Sequence, residues 1–216
     1  SLEYYKLVNS AEFFITNSRT DPYRIYWHKR PEQKYLMLWH GGVALKKIEK
    51  DAEAKLGFTY VQKAKIDSKV CDLMTSSCRY QTNLMENKFW YSGEILKKGI
   101  PRNDIFFDLK QRDSLDCRVR ELYSIPASHK IVMYAPTFRR GNDLTPYSID
   151  WSKVIPELEK VFDGAPVSVL VRLHPNLIGK ADTSGLVAYE NVMDATMYHD
   201  MQELLCISDM LITDYS

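Results

Sequence analysis

Short apolar segments alternate with helical patterns along this chain, and this alternation constrains its fold more than any other feature. Six segments are candidate strands: residues 13–16, 35–39, 70–74, 130–134, 167–173 and 210–213. Helical patterns lie among them at 44–55, 77–90, 113–123, 151–162 and 201–207. Several candidate strands are rich in Val, Ile and Tyr with little strict alternation, which is typical of strands buried on both faces. The chain is therefore predicted to be α/β, with parallel sheets covered by helices.

A polar turn near the middle of the chain is the best candidate for a domain boundary. Residues 99–104 have the sequence GIPRND, in which a Gly and a Pro flank a polar turn. Two α/β units are therefore predicted, at 1–104 and 105–216. The second unit holds only three clear strands, fewer than a doubly wound domain normally has, so we expect it to be incomplete.

Composition excludes several other classes of protein. The chain is 45% hydrophobic and 26% charged, with nine Gly and nine Pro, which is typical of a globular protein and not of a disordered or collagen-like one. No apolar run approaches the ~20 residues that span a bilayer, and the sequence does not open with a signal-peptide pattern. The four cysteines have no CxxC spacing, so we expect reduced thiols.

The net charge of +1 hides an uneven distribution. Residues 19–65 carry eleven Lys and Arg against five Asp and Glu, whereas residues 66–216 carry 17 against 21. The basic segment fits either an ordinary solvated face or a surface that attracts anionic lipid or a polyanionic acceptor, and charge alone leaves both open. No Arg-rich helix or interleaved aromatic pattern indicates nucleic-acid binding.

Polar clusters directly follow three of the predicted strands. His40 follows the strand at 35–39, Arg172 and His174 lie at the end of the strand at 167–173, and Asp214 and Ser216 follow the strand at 210–213. In open α/β sheets, ligands bind outside the carboxyl ends of the strands. The three clusters together therefore predict a ligand site more strongly than any one of them.

His40 and the Arg172–His174 pair suit different parts of a reaction. A His at a strand end can act as a general base near neutral pH, and the glycines at 41 and 42 allow close backbone approach or a positive φ. An Arg and a His two residues apart suit a phosphate or pyrophosphate. The alternatives are that His40 caps the following helix, and that Arg172 forms a structural ion pair while His174 lies in a turn.

Further polar residues follow the strands of the second unit. Ser216 lies where the next helix should start, so its hydroxyl and nearby N–H groups could hold a phosphate, while Asp214 could equally be an N-cap. Thr137 and Arg139 follow the strand at 130–134. Walker, GxGxxG, GxSxG, HExxH and DxD patterns are all missing from the sequence. We therefore expect no metal and no cofactor.

Five motifs together resemble the CDP-glycerol glycerophosphotransferase family, the teichoic-acid primases and polymerases. The motifs are WHG with LKK (39–47), GIPRND (99–104), YAPTFR (134–139), RLHP (172–175) and ELLCISDMLITDYS (203–216). The resemblance implies a GT-B-like fold with two Rossmann-like parallel-sheet lobes, an acceptor lobe at 1–104 and a nucleotide-donor lobe at 105–216, the latter incomplete.

The resemblance also implies a reaction. A polyol phosphate, usually glycerol phosphate, moves from a CDP-linked donor to an acceptor hydroxyl of a teichoic-acid-like or capsular polymer, and CMP leaves. His40 and His174 match the family's catalytic histidines. The residues that match its donor-phosphate side are Arg172, His174, Thr137, Arg139, Asp214 and Ser216.

Partners and location follow from the same resemblance. The implied donor is CDP-glycerol or a related CDP-polyol, and the acceptor is lipid-linked or polymeric. Lys46 and Lys47 match the acceptor or membrane side. The protein is expected in the cytoplasm, held peripherally at the anionic inner face of the plasma membrane.

Two departures from the family pattern affect these expectations. The family's WHGTPLKK is WHGGVALKK here, so the stretch at 42–44 could select a different acceptor or polyol. The sequence also ends at the first Ser of the family's TDYSS motif, which should weaken donor binding. The alternatives are a GT-B glycosyltransferase that uses a nucleotide sugar and a non-catalytic domain that binds a polyanion.

Overall fold

The computed structural model describes residues 2–20, 28–41, 47–137, 147–174, 177, 185 and 187–214. The chain divides into two compact units, Ser1–Pro101 and Arg102–Ser216, so the division falls close to the predicted boundary at 104. Within the described residues, each unit contains one four-stranded parallel sheet. The predicted α/β class with parallel sheets is confirmed.

The first unit is built on a sheet whose strands follow one another in chain order. These strands are β1 (Phe13–Thr16), β2 (Lys34–Met37), β3 (Leu73–Thr75) and β4 (Glu94–Leu96). The helices are α1 (Leu2–Ser10), α2 (Phe58–Val70) and α3 (Arg79–Lys88), with a 3₁₀ helix at Glu49–Lys55. One hydrophobic cluster, centred on Tyr35, Met37, Met74 and Phe89, packs the sheet against its helices.

The second unit has strands in the order β7-β6-β5-β8. They are β5 (Lys130–Ala135), β6 (Val167–Val171), β7 (Val192–Asp194) and β8 (Met210–Thr213), with helices α4 (Leu109–Tyr123), α5 (Trp151–Val161) and α6 (Met201–Ile207) and a 3₁₀ helix at Pro101–Phe107. Neighbouring residues of β5 enter opposite cores: Val132 and Tyr134 lie in one cluster, Ile131 and Met133 in the other. The sheet is therefore buried on both faces, as its near-continuous apolar strands predict.

The prediction of a strand at 70–74 is wrong in its first half. Val70 still belongs to α2, the helix ends at Cys71, and the strand begins only at Leu73. The helix before it was not predicted because polar residues occupy part of its inward face, where Asp67 and Ser68 are buried beside Val61. An apolar stripe of helical period is therefore missing from the sequence.

Three other predicted elements differ from the structure. The pattern at 44–55 gives a 3₁₀ helix over Glu49–Lys55, while residues 42–46 lie outside the described part of the chain. The helix predicted at 77–90 begins at Arg79 and ends at Lys88, and Cys78 caps it because its sulfur accepts the Gln81 N–H at 3.5 Å. The helix predicted from 113 starts at Leu109, because Asp108 caps it by accepting the Gln111 N–H at 3.0 Å.

The described helices are too short or too polar to cross a membrane. All four cysteines are free, as predicted. Burial raises the pKa of the Cys71 thiol to about 12, so this cysteine stays a neutral packing residue at physiological pH.

Candidate active site

His40 lies just beyond the carboxyl end of β2, with its ring held by the neighbouring strand. Its Nδ1 is 3.0 Å from the backbone carbonyl oxygen of Asn17, which follows β1. A carbonyl can only accept a hydrogen bond, so the neutral ring carries its proton on Nδ1 and its lone pair on Nε2. The exposed imidazole is therefore in the tautomer that a general base needs.

The direction of the chain at His40 is determined by Trp39. Trp39 has φ = 56°, in the left-handed region that non-glycine residues seldom adopt, at a cost of about 1–3 kcal/mol. Its buried ring lies 4.3 Å from the His40 ring and 4.7 Å from the Phe89 ring, measured between centroids. This packing offsets the backbone strain and holds His40 at the edge of the sheet.

The predicted positive φ is at Trp39 and not at Gly41. A Cβ built on Gly41 would come only 3.5 Å from Trp39 Nε1, an ordinary contact. Gly42 lies outside the described residues. Close approach of a substrate to Gly41 therefore stays a prediction.

A buried ionic network contacts the Trp39 ring through Arg19. Arg19 donates to Asp67 at 3.0 Å and to Glu49 at 2.7 Å, and its guanidinium lies 5.9 Å from the Trp39 ring centroid. Burial acts to lower the pKa of Arg19, but the two carboxylates outweigh it and hold the pKa above its ordinary value. Arg19 is therefore a structural cation, although it belongs to the basic segment at 19–65.

Gln81 ties the loop that carries His40 to the loop after β3. Its Nε2 donates to the Gly41 carbonyl at 3.1 Å, and its Oε1 accepts the N–H of Ser77 at 2.7 Å and the hydroxyl of Ser77 at 2.8 Å. Gln81 is only 1% exposed. Because the carbonyl can only accept and the backbone N–H can only donate, the orientation of this amide is determined.

We expect Gln81→Leu to lower kcat about tenfold and to leave the KM for the donor unchanged, because it frees the His40 loop and strands the Gly41 carbonyl. Steady-state kinetics measures both constants. Met85→Leu is the control: Met85 is also fully buried in α3, it does not line a polar loop contact, and the change conserves the side-chain volume. An equal loss of kcat in the two variants would mean that Gln81 contributes only packing and does not position the His40 loop.

Of the two lysines predicted for the acceptor side, only Lys47 belongs to the described residues. Lys47 is exposed, and Lys46 lies outside the described residues. Other cations of the basic segment are paired within the first unit, where Lys29 contacts Asp72 at 2.5 Å and Lys65 contacts Glu53 at 2.9 Å. The surface charge of this segment is therefore weaker than its sequence indicates.

In the second unit, the strand order creates a switch point at β5. The chain runs from β5 through β6 to β7 on one side and then returns to place β8 on the other side of β5. Ligands of open α/β sheets bind at such a point, outside the carboxyl ends of the strands. The carboxyl ends of β5 and β8 are therefore the expected ligand edge of this unit.

Thr137 and Asp214 meet at this switch point. Asp214 Oδ1 accepts the Thr137 backbone N–H at 2.7 Å and also the Thr137 hydroxyl. Next to them, the Thr213 hydroxyl donates to the Ala135 carbonyl at 2.7 Å. Asp214 thus holds the loop after β5, so the structure brings two predicted site residues together.

Arg172 extends from the end of β6 toward the loop after β7. Its Nη1 donates to the Thr196 carbonyl, and the Thr196 hydroxyl accepts the Leu173 N–H at 3.1 Å. Its Nε is buried and has no hydrogen-bond partner among the described residues. Burial lowers the pKa of Arg172, whereas Tyr123 and Asp194 act in the opposite direction. The Arg172 guanidinium thus joins the end of β6 to the loop after β7, and its contact with an anionic ligand stays a prediction.

His174 is exposed at the point where the chain leaves β6. Its carbonyl accepts the Leu177 N–H at 2.9 Å, which turns the backbone there. Arg139 and Ser216 lie outside the described residues, so joint contact of the predicted donor residues with a phosphate stays a prediction. Across the described part of the chain, His, Cys, Asp and Glu side chains form no cluster that could hold a metal ion.

Sequence reasoning missed three groups that organise these sites: the Asn17 carbonyl, Gln81 and Thr196. Asn17 could have been found, because it follows a predicted strand of the same sheet as His40. Gln81 and Thr196 act through contacts with distant loops, which no local pattern indicates.

Two parallel-sheet units with polar strand ends define an α/β protein of the GT-B-like class. The model of the family CDP-glycerol:poly(glycerophosphate) glycerophosphotransferase matches residues 1–216, and the chain belongs to this family. The resemblance found in the sequence motifs is thereby confirmed.

Similar proteins are longer than this chain. A teichoic acid poly(glycerol phosphate) polymerase of Staphylococcus epidermidis is 33% identical over 229 aligned positions, which cover 100% of this chain and 30% of the relative. The structure of the wall teichoic acid polymerase TagF aligns with a TM-score of 0.79 and 30% identity, covering 100% of this chain and 52% of that one. A histidine-to-asparagine variant of the same polymerase, soaked with CDPG, gives a TM-score of 0.76 at 28% identity. The chain thus spans about a third to a half of the length of these relatives.

Proposed function

We propose that this chain carries out transfer of a polyol phosphate, in the first instance glycerol phosphate, from a CDP-linked donor to a hydroxyl of a teichoic-acid-like polymer. The observation that carries this proposal is the hydrogen bond of His40. Its Nδ1–H donates to the Asn17 carbonyl, so its Nε2 keeps the lone pair. Membership of the glycerophosphotransferase family supports the same reaction.

The first unit is the acceptor side in this proposal. The acceptor hydroxyl gives its proton to His40 Nε2 as its oxygen attacks the phosphorus that bears the glycerol. The new O–P bond forms as the bond to the bridging oxygen of the diphosphate breaks, and CMP leaves with that electron pair. Such a transfer needs positioning, a base and charge neutralisation.

The second unit is the donor side. The half-buried guanidinium of Arg172 at the end of β6 supports an anion there, and the exposed His174 follows two residues later. Thr137 and Asp214 at the switch point, with Arg139 and Ser216 beside them in sequence, complete the proposed donor set. The related polymerase that was soaked with CDPG supports a CDP-linked donor. Cationic side chains supply the charge neutralisation, so the proposal requires no cofactor.

An assay of nucleotide release tests this function. With a short poly(glycerol phosphate) acceptor, CDP-glycerol should give CMP, CDP-ribitol should give less, and UDP-glucose should give no UDP. Release of UDP from a nucleotide sugar would make the chain a glycosyltransferase instead. Acceptor binding without any nucleotide release would make it a polyanion-binding domain.

We also propose that the protein associates peripherally with the anionic inner face of the plasma membrane, through lysines such as Lys46 and the exposed Lys47. The chain should sediment with phosphatidylglycerol vesicles in 0.1 M salt and detach in 1 M salt, because the Debye length falls from about 10 Å to about 3 Å. Phosphatidylcholine vesicles are the control. Binding that survives 1 M salt would indicate apolar insertion.

A further inference from the structure

A groove of about 780 Å³ lies in the first unit, beside the carboxyl ends of β3 and β4. Residues that line it include Ser76, Ser77, Arg79, Asn83, Glu86 and Lys97. Its volume is in the range of ~300–1,000 Å³ that ligand-binding clefts usually have. None of these residues belongs to the site predicted from the sequence.

The floor of the groove is braced by Ser76, which is 2% exposed. Its N–H donates to the Leu96 carbonyl at 2.9 Å, and its carbonyl accepts the Gly99 N–H at 3.1 Å. Its hydroxyl is 2.6 Å from that of Thr82. These bonds join the loops after β3 and β4 to α3, so the groove is preformed.

The side chains that line the groove are complementary to a polyol phosphate chain. Arg79 and Lys97 are exposed cations that can pair with phosphodiester oxygens. Ser77 and Asn83 offer neutral hydrogen-bonding groups, and Glu86, 4.0 Å from Lys97, can accept a bond from a hydroxyl. A polyol phosphate chain alternates these two kinds of group, anionic diesters and hydroxyl-bearing carbons.

The groove borders the loop that carries His40. Ser77 lines the groove and bonds Gln81, which in turn donates to the carbonyl of Gly41, the residue after His40. Only one buried side chain therefore separates the groove wall from the His40 loop. The groove wall and the His40 loop are thus joined by hydrogen bonds through Gln81.

We infer that this groove binds the polyol phosphate chain of the acceptor and directs its terminal hydroxyl toward His40. The inference rests on the proposed function for the identity of the chain. Arg79 and Lys97 contact its phosphodiesters, and Ser77, Asn83 and Glu86 contact its hydroxyls.

The test is a titration of the 216-residue chain with a synthetic oligo(glycerol phosphate) that contains four phosphodiesters, followed by calorimetry without donor. The double variant Arg79→Ala/Lys97→Ala should bind about tenfold or more weakly than wild type. Lys98→Ala is the matched control for Lys97→Ala, because Lys98 is the exposed neighbour that does not line the groove. It should stay within about twofold of wild type. Melting curves of each variant check the fold.

Two results would overturn the inference. One is that Lys97→Ala and Lys98→Ala weaken binding of the oligo(glycerol phosphate) equally, because the loss of affinity would then come from the lower net charge and not from the groove. The other is equal affinity for an inorganic polyphosphate of the same charge, which would exclude recognition of the polyol. Because the titration contains no donor, groove-dependent binding without CMP release in the separate assay would count against the proposed transfer and not against the groove.

Discussion

His40→Ala is expected to lower turnover about 10²–10⁴-fold, which is the usual contribution of a positioned general base. The affinity for CDP-glycerol should be nearly unchanged, because the proposed donor residues belong to the other unit. The loss should therefore appear in kcat and not in the dissociation constant of the donor, and kinetics combined with calorimetry measures both.

His40→Asn is the sharper variant of this experiment. Its side-chain amide can still donate to the Asn17 carbonyl, so it keeps the loop in place, but it has no basic nitrogen. We expect the same loss of turnover as in His40→Ala. If His40→Asn kept turnover within threefold of wild type, His40 would only hold the loop, and the proposed mechanism would lose its base.

Arg172→Met is expected to weaken binding of CDP-glycerol about 10–100-fold and to lower turnover with it, since hydrogen bonds to a charged group contribute about 1.5–3 kcal/mol. Arg172→Lys keeps the charge without the planar guanidinium, so its affinity for CDP-glycerol should lie between those of wild type and Arg172→Met. His174→Ala should lower affinity and turnover together. Calorimetric titration with CDP-glycerol, combined with kinetics, measures both quantities.

Arg118→Met is the control for this series. Arg118 is 57% exposed in the same unit and pairs with Glu203 at 2.5 Å, so its loss should leave donor affinity unchanged. Melting curves show whether Arg172→Met has disturbed the Thr196 loop. A folded Arg172→Met protein with wild-type donor affinity would limit Arg172 to holding that loop, and the same outcome for His174→Ala would limit His174 to the turn.

The positions of the main site residues could be predicted because each follows an apolar run. His40 and Asp214 lie just beyond strands that were recognised from their composition, and Arg172 lies at the end of one. Within each parallel sheet, the carboxyl ends of the strands share one edge. The pairing of Thr137 with Asp214 was not predictable in the same way. It depends on β8 returning beside β5, and alternation along the chain does not determine that order.

Some elements could not be predicted because tertiary contacts or short length hide their sequence pattern. Helix α2 shows no apolar stripe because Asp67 faces the core, where Arg19 and Tyr35 satisfy its oxygens. Strands β4 and β7 have three residues each, too few for a pattern. The cap of α3 is the sulfur of Cys78, a residue type that capping preferences do not single out.

The central claim is tested most directly by counting products of one reaction. The chain is incubated with CDP-glycerol and an oligo(glycerol phosphate) acceptor, and ³¹P NMR follows the diphosphate, CMP and phosphodiester signals together. We expect one new phosphodiester on the acceptor for each CMP released, and formation of both products about 10²–10⁴-fold slower with His40→Asn. CMP that appears with free glycerol phosphate and no new phosphodiester, or at the same rate with His40→Asn, would contradict it.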